Sequence, residues 1–334
     1  MNALVTGGGG FLGRYIVEQL VASGAHVRVF SRRRFPDLEE AGVISLVGDL
    51  RDEQAIAEAC RGVDTVFHTA AVPGIWGPWS LYYETNTLGT LNVIAGCIAQ
   101  RVSRLIYTSS PSVVYDGRPH EGEDESLPYP ARFSAYYPQS KALAEQAVLD
   151  ANGVSDLKTV ALRPHLIWGP RDNHLLPRLI QRAKQRRLRR VGDGRNQVSN
   201  SYVENTAHAH LLAARALEEG LPCAGRAYFI NEPKPVLLWE WVDQLLETAG
   251  LKPIQRGVPA SVAWGAGVLL ETAARLVGSR QEPMMTRFLA SQLSSSHWYR
   301  IDAAQRDFRY APLVSPDEGL RRTAADLRRW AAEA

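Results

Sequence analysis

Thr6-Gly7-Gly8-Gly9-Gly10-Phe11-Leu12-Gly13 directly follows a short apolar run, Ala3-Leu4-Val5. It leads into Tyr15-Ile16-Val17-Glu18-Gln19-Leu20-Val21, whose apolar residues recur at helical spacing. The order is strand, glycine turn, helix. Gly7, Gly10 and Gly13 are spaced GxxGxxG. The first glycine permits a tight turn, the second lets backbone approach a pyrophosphate, and the third lets the helix pack closely on the strand. The phosphates are then expected on the backbone N–H groups at the positive end of the helix, where Phe11 and Leu12 stand. A glycine run alone reads as a flexible turn; the strand before it and the helix after it make it a dinucleotide-binding fingerprint.

The same alternation continues along the chain. Strands are expected at Ala3–Val5, His26–Phe30, Ser45–Val47, Thr65–His68, Leu105–Thr108 and Thr159–Arg163, with helices at Leu12–Ser23, Glu53–Arg61, Thr87–Arg101 and Ser140–Asn152. Strand–helix alternation with nearly all-apolar strands predicts an α/β fold, a doubly wound parallel sheet covered on both faces. After Pro164 the pattern loosens and aromatic residues collect near Trp239–Trp241 and Trp298–Tyr299. The expected organisation is a nucleotide-binding domain over 1–168, with a segment near 198–231 returning to it, and a smaller substrate-binding lobe from 169–197 and 232–334.

Composition excludes several classes. The 334 residues are 45% apolar and 22% charged, with 38 basic against 35 acidic side chains, an ordinary globule with no reason to bind nucleic acid. Cys60, Cys97 and Cys223 form no CxxC pair, which argues against disulfides or a zinc site and fits a reducing compartment. His208 and His210 are two residues apart and would not share a helical face, so no metal is expected. The nucleotide-binding strand starts at once, which leaves no room for a signal peptide and predicts a cytoplasmic protein. Val258 to Leu270 is the longest apolar stretch; it is too short to span a bilayer and is expected to pack in the core, with peripheral contact to the inner membrane as the alternative. The basic stretch Arg182–Arg190 reads first as solvated helix and loop, and second as a contact for a fatty carboxylate, an acidic partner or anionic lipid.

The second strand ends in Ser31-Arg32-Arg33-Arg34 with no carboxylate to hold an adenosine ribose. Guanidinium groups match a 2′-phosphate, so the cofactor is expected to be NADP(H), with Ser31 and Arg32 in contact. Asp49, in Gly48-Asp49-Leu50 after the third strand, is placed for the adenine edge. Tyr137-Pro138-Gln139-Ser140-Lys141 opens a helix with Tyr and Lys four apart on one face. A nearby ammonium favours the phenolate and is expected to lower the phenol's pKa toward the working pH, so that Tyr137 can give or take a proton at a carbonyl or alcohol. Tyr136 has only Ser140 at the matching position. The cluster Tyr107-Thr108-Ser109-Ser110-Pro111-Ser112 ends a central strand, where a serine can hold the substrate oxygen for Tyr137.

Taken together, TGGGGFLG at 6–13, YTSS at 107–110, YPQSKALAE at 137–145 and LRPHLIWGP at 162–170 resemble the extended short-chain dehydrogenase/reductases over essentially the whole chain. The resemblance implies Ser110 as the catalytic Ser/Thr, Tyr137 as acid/base and Lys141 as its helper. It implies Asn86 as the structural asparagine behind the lysine, Thr69-Ala70-Ala71 as the segment lining the cofactor together with Leu50, and Pro164 and His165 as the turn beside the nicotinamide.

Within that family the 3β-hydroxysteroid dehydrogenase-like branch is most similar, and within it the bacterial enzymes of long-chain olefin synthesis, through Ala71–Gly77, Tyr107–Val113, Leu162–Pro170, His297-Trp298-Tyr299 and Arg306-Asp307-Phe308. This resemblance implies NADPH-dependent reduction of a 2-alkyl-3-oxoalkanoate to the 3-hydroxy acid, a homodimer, and as pathway partners a thiolase, a β-lactone synthetase and a β-lactone decarboxylase. The alternatives are a 3β-hydroxysteroid dehydrogenase, a sugar-nucleotide epimerase, or an NADP-sensing regulator or scaffold without turnover. Pro111 and Ser112 after Ser110 disfavour a sugar-nucleotide dehydratase, which carries Asp and Glu there. Apolar residues such as Trp76, Trp79, Leu175, Leu176, Trp264, Leu269, Met284 and Phe288 suit a lipid-like substrate or form the lobe's own core.

Overall fold

The computed structural model describes residues 1–333. Seven strands form the main sheet: β1 (Asn2–Thr6), β2 (His26–Ser31), β3 (Ile44–Val47), β4 (Thr65–His68), β5 (Arg104–Thr108), β6 (Lys158–Pro164) and β7 (Arg226–Ile230). Their spatial order is β7-β6-β5-β4-β1-β2-β3, and every pairing is parallel. From β1 the chain runs outward to β3, then returns to the other side of β1 for β4. That reversal opens a crevice at the carboxyl ends of β1 and β4, the place where such sheets bind ligands.

Both faces are covered. On one, Leu12, Ile16 and Leu20 of α1 (Phe11–Ala22) pack with Val203, Ala207 and Leu217 of the returning helix Val203–Glu219. On the other, Ile56, Val93, Cys97, Ala144 and Val148 close over Leu4, Val66 and Leu105. The strands are apolar on both sides because neither side meets water.

Two boundaries differ from expectation for physical reasons. The helix expected from Thr87 opens as a π-helical turn, Tyr83–Leu88, and becomes α-helical only over Gly89–Ala99. Gly89 lies so close to Leu50 that a Cβ on it would sit 2.8 Å from the Leu50 Cβ. The helix expected from Ser140 begins at Tyr136 and runs to Asp150. Pro138 is in its first turn, where a missing N–H costs nothing, so the proline does not delay the helix.

Beyond the sheet, Trp168, Leu176, Ile180, Tyr202, Trp239 and Leu245 form a separate apolar core. The helix Ala260–Leu276 corrects the expectation of core packing. It turns only Ala263, Gly267 and Glu271 fully inward, while Val262, Leu269 and Leu276, seven residues apart, are 57%, 72% and 83% exposed. No helix among the described residues is long and apolar enough to cross a membrane.

Candidate active site

Gly7 adopts φ +71°, and a Cβ there would lie 2.8 Å from the Ala70 Cα. A Cβ on Gly13 would run into the Gly7 carbonyl oxygen. Both positions therefore require glycine: one for the turn against β4, the other for seating α1 on it. Gly10 is the N-cap of α1 and supplies no side-chain cap. A Cβ on Gly10 would meet only the Gly7 oxygen, at 3.1 Å, so the approach to the helix start is open. An uncapped, glycine-lined helix N-terminus suits a dinucleotide pyrophosphate on the Phe11 and Leu12 amides.

The structure distributes the other cofactor candidates unevenly. Thr69 and Ala70 lie against the end of β1: Thr69 Oγ1 donates to the Thr6 carbonyl at 2.8 Å, and the Ala70 N–H reaches Thr6 Oγ1 at 3.4 Å. Ala71 follows, and Pro164 is buried at the end of β6 beside Ile230. Ser31 and Arg32 stand at the end of β2, but Ser31 Oγ donates to the Arg33 carbonyl at 2.6 Å and Arg32 is exposed. Asp49 is spent on Arg51, whose guanidinium and N–H hold its carboxyl down to about 2. The Leu50 side chain is buried against Gly89.

Asn86 is also accounted for. Its Oδ1 accepts from the Val72 N–H at 2.7 Å, and its Nδ2 donates to the Val72 carbonyl and Ser140 Oγ, both at 3.1 Å. The side chain braces the loop after β4 against the Tyr136–Asp150 helix. Phe35 entered no sequence argument, yet its ring covers Gly9, and the Arg33 guanidinium lies 5.1 Å from its centroid.

At the end of β5, Ser110 caps a short 3₁₀ turn, Pro111–Val114, and accepts from the Ser112 N–H at 3.3 Å and the Ser112 hydroxyl at 3.0 Å. Burial pushes the Tyr137 phenol up to about 12, with the Ser110 hydroxyl pulling the other way. Ser110 and Tyr137 are thus brought together. The expected lowering by Lys141 is absent because the ammonium is committed elsewhere. Lys141 Nζ donates to the Thr108 carbonyl at 2.6 Å and lies 4.1 Å from the Tyr107 ring centroid. Burial lowers Lys141 to about 7, and Glu145 opposes that. Tyr137 is therefore a neutral, protonated phenol at neutral pH, the form that can donate to an alkoxide. Tyr136 is half exposed and meets Trp79 edge-on, away from this cluster.

Two supports carry no signal in the sequence, and a third, Arg163, reads there as structural. Tyr82 stands edge-on to Tyr137 with ring centroids 6.5 Å apart, and its hydroxyl donates to the Trp76 carbonyl at 3.0 Å. His210 pairs through Nε2 with Thr108 Oγ1 at 2.8 Å and through Nδ1 with the Thr206 carbonyl at 2.7 Å. The carbonyl can only accept, so Nδ1 carries the proton and the Thr108 hydroxyl donates to Nε2. That arrangement fixes the strand end that holds Lys141. Arg163 and Glu145 form a buried pair, Nη2 to Oε1 2.6 Å, which fastens the Tyr136–Asp150 helix to β6, and the Tyr129 hydroxyl donates to the same carboxylate at 2.7 Å.

The profile of the 3-beta hydroxysteroid dehydrogenase/isomerase family matches residues 4–258. The chain belongs to this family. It is an oxidoreductase of the extended short-chain dehydrogenase/reductase type, similar along nearly its whole length to enzymes that act on quite different skeletons. The 2-alkyl-3-oxoalkanoate reductase of Stenotrophomonas maltophilia is 48% identical over 97% of this chain and 99% of its own. The reductase of the same description from Shewanella oneidensis is 46% identical, over 98% of this chain and 86% of its own. The mouse sterol-4-alpha-carboxylate 3-dehydrogenase, decarboxylating, is 36% identical over 96% of this chain and 89% of its own. Among solved structures, the Thermus thermophilus UDP-glucose 4-epimerase complex with NAD superposes with a TM-score of 0.73 at 25% identity, covering 98% of this chain and 99% of that one. The structure described as gox2253 gives 0.78 at 24% identity, covering 99% and 98%, which shows the shared fold.

Proposed function

We propose that this member of the family reduces the 3-oxo group of a 2-alkyl-3-oxoalkanoate to the 3-hydroxy acid, with NADPH as reductant. The observation that carries the reading is 48% identity to a 2-alkyl-3-oxoalkanoate reductase over 97% of this chain and 99% of that one. When bound, the reduced nicotinamide supplies a hydride to the carbonyl carbon. The chain supplies the rest. Ser110 holds the carbonyl oxygen, and Tyr137 transfers its phenolic proton to that oxygen as negative charge develops. Lys141 fixes the strand end through Thr108 and would help to hold the cofactor. Arg32, solvent-facing and unpaired among the described residues, meets the 2′-phosphate and favours NADPH over NADH.

Two further readings concern surroundings. Exposed Leu88, Leu91 and Leu143 lie on the helices beside the site and support a homodimer through that face. The outward row Val262–Leu269–Leu276 carries no charge, while Lys252 and Arg256 precede the helix and Arg280 follows it, each without an ion pair among the described residues. Apolar residues rimmed by free cations suit an anionic bilayer surface. The same helix borders the loop after β4: Trp76 Nε1 donates to the Ser279 carbonyl at 3.0 Å, and the Arg275 guanidinium lies 5.7 Å from the Trp76 ring. A lipid-like acid would thus leave the bilayer next to the catalytic crevice. The likeness to the olefin-pathway reductases that supports this reaction also supports exchange with a thiolase, a β-lactone synthetase and a β-lactone decarboxylase.

The test is steady-state turnover against a panel of 2-alkyl-3-oxo acids, 3β-hydroxysteroids and UDP-sugars. The keto acids are expected to dominate in kcat/KM; a steroid or a sugar nucleotide in first place would replace the reading, and cofactor binding without turnover of any of them would favour a sensor.

A further inference from the structure

His165 leaves the carboxyl end of β6 directly after Pro164. β6 is the immediate neighbour of β5, and Thr108 pairs with Leu162. The chain leaves β6 at His165 on the same edge of the sheet at which Ser110 follows the end of β5. The ring of His165 is not free to turn. Its Nε2 lies 2.6 Å from Nδ1 of His297, and Nε2 of His297 lies 2.8 Å from the Gln292 carbonyl.

The protons can be placed from the end of this chain. The Gln292 carbonyl only accepts, so His297 Nε2 carries a hydrogen. Burial holds the His297 ring neutral at neutral pH, down to about 4. Its Nδ1 is then a lone pair, and His165 must donate to it from Nε2. What remains is His165 Nδ1, a lone pair with no hydrogen-bond partner among the described residues. Burial also keeps His165 neutral, with His297 acting in the same direction.

Every dipole in the relay points its negative end toward His165: carbonyl to imidazole to imidazole. A positive charge on His165 is therefore favoured only once an anion arrives to share it and to offset both burial and the opposing effect of His297. The other titratable groups facing the pair are Tyr299, Tyr115 and His120, the last paired with Asp116; none of them is a lysine or arginine. The nearest arginine on β6, Arg163, is consumed by Glu145.

We propose that His165 is the receptor for the carboxylate of the oxo- or hydroxy-acid substrate, binding it together with one proton, and that His297 and the Gln292 carbonyl position it for that task. This rests on the reductase reading above and names the group that distinguishes an acid from a plain ketone or alcohol. The proton taken up resides on His165 Nδ1 and bridges to a carboxylate oxygen, and it leaves with the product.

The experiment compares a 2-alkyl-3-hydroxyalkanoate with its methyl ester, both oxidised with NADP⁺ by the wild type, His165→Gln and His297→Gln. The wild type is expected to prefer the acid. In His165→Gln the KM for the acid rises by about tenfold or more, the scale of a lost charged hydrogen bond. The acid-over-ester ratio of kcat/KM falls by a similar factor, a readout that cancels any loss common to both substrates. In His297→Gln the KM for the acid rises while its kcat holds, the split expected of a positioning residue. Calorimetry of hydroxy-acid binding to the wild type with NADPH, a pairing that cannot react, in two buffers of different ionisation enthalpy near pH 8, reads the proton directly and needs no variant. About one proton is taken up per acid bound, and none per ester. Equal loss of acid and ester in His165→Gln, or acid binding without proton uptake, overturns the proposal. If the wild type oxidises neither compound, the reductase reading itself fails.

Discussion

Lys141 Nζ and the Thr108 carbonyl oxygen are 2.6 Å apart, so the cation expected to activate Tyr137 is instead fixed to the end of the neighbouring strand. Its burial has a thermodynamic sign. The folded-state pKa, about 7, lies below the ordinary lysine value, so between those two pH values the unfolded chain binds more protons than the folded one. Lys141 costs most stability below pH 7, and the cost fades as pH rises toward the ordinary value. Lys141→Met is therefore expected to abolish turnover and yet to melt at or above the wild-type temperature at pH 7, with the gain shrinking toward pH 10. Thermal melts at the two pH values check this.

Tyr137→Phe removes the phenolic proton while leaving the ring in place against Tyr82. Turnover is expected to fall by at least about a hundredfold, the usual scale for a lost general acid. NADPH affinity, read by fluorescence titration, should hardly move. Near-normal turnover would remove Tyr137 from its assigned role.

Arg32→Ala tests the cofactor preference. Loss of a charge-assisted contact to the 2′-phosphate is expected to weaken NADPH by about tenfold and to leave NADH nearly unchanged. Equal weakening would place the discrimination elsewhere, with Arg33, stacked on Phe35 over the glycine turn, the next residue to replace.

Glu145→Gln leaves the Arg163 guanidinium buried without its counter-charge. Breaking one side of a buried pair costs about 3–5 kcal/mol, and chemical denaturation should show a loss of that order. Turnover at low temperature should survive better than stability, since neither residue touches the substrate in this account.

Leu269→Glu with Leu276→Glu places charge in the middle of the exposed apolar row. Co-sedimentation with phosphatidylglycerol-containing vesicles is expected to fall at least tenfold, and turnover of a short-chain, water-soluble keto acid to stay unchanged. Undiminished vesicle binding would assign another surface.

What was legible in the sequence was what residue identity alone can encode. Gly7 and Gly13 could be read because a positive φ and a close helix–strand approach exclude any other residue. Tyr137 and Lys141 could be read because helical periodicity sets their common face. The Ala260–Leu276 helix could not, since an apolar helix reads alike whichever side is buried; the face that packs is the one with small residues, Ala263 and Gly267. The lysine's partner was hidden because it is a backbone carbonyl, which no side chain announces. His165 and His297 meet across 132 positions of chain, and Asp49 and Asn86 find protein partners that only the fold brings near.

Transfer of a labelled hydride tests the central claim most directly. With NADPH deuterated at the transferring C4 position and a 2-alkyl-3-oxo acid, the account predicts one deuterium at C3 of the 2-alkyl-3-hydroxy acid for each NADPH consumed. Deuterium retained in the cofactor, with substrate unchanged or only epimerised, would contradict it.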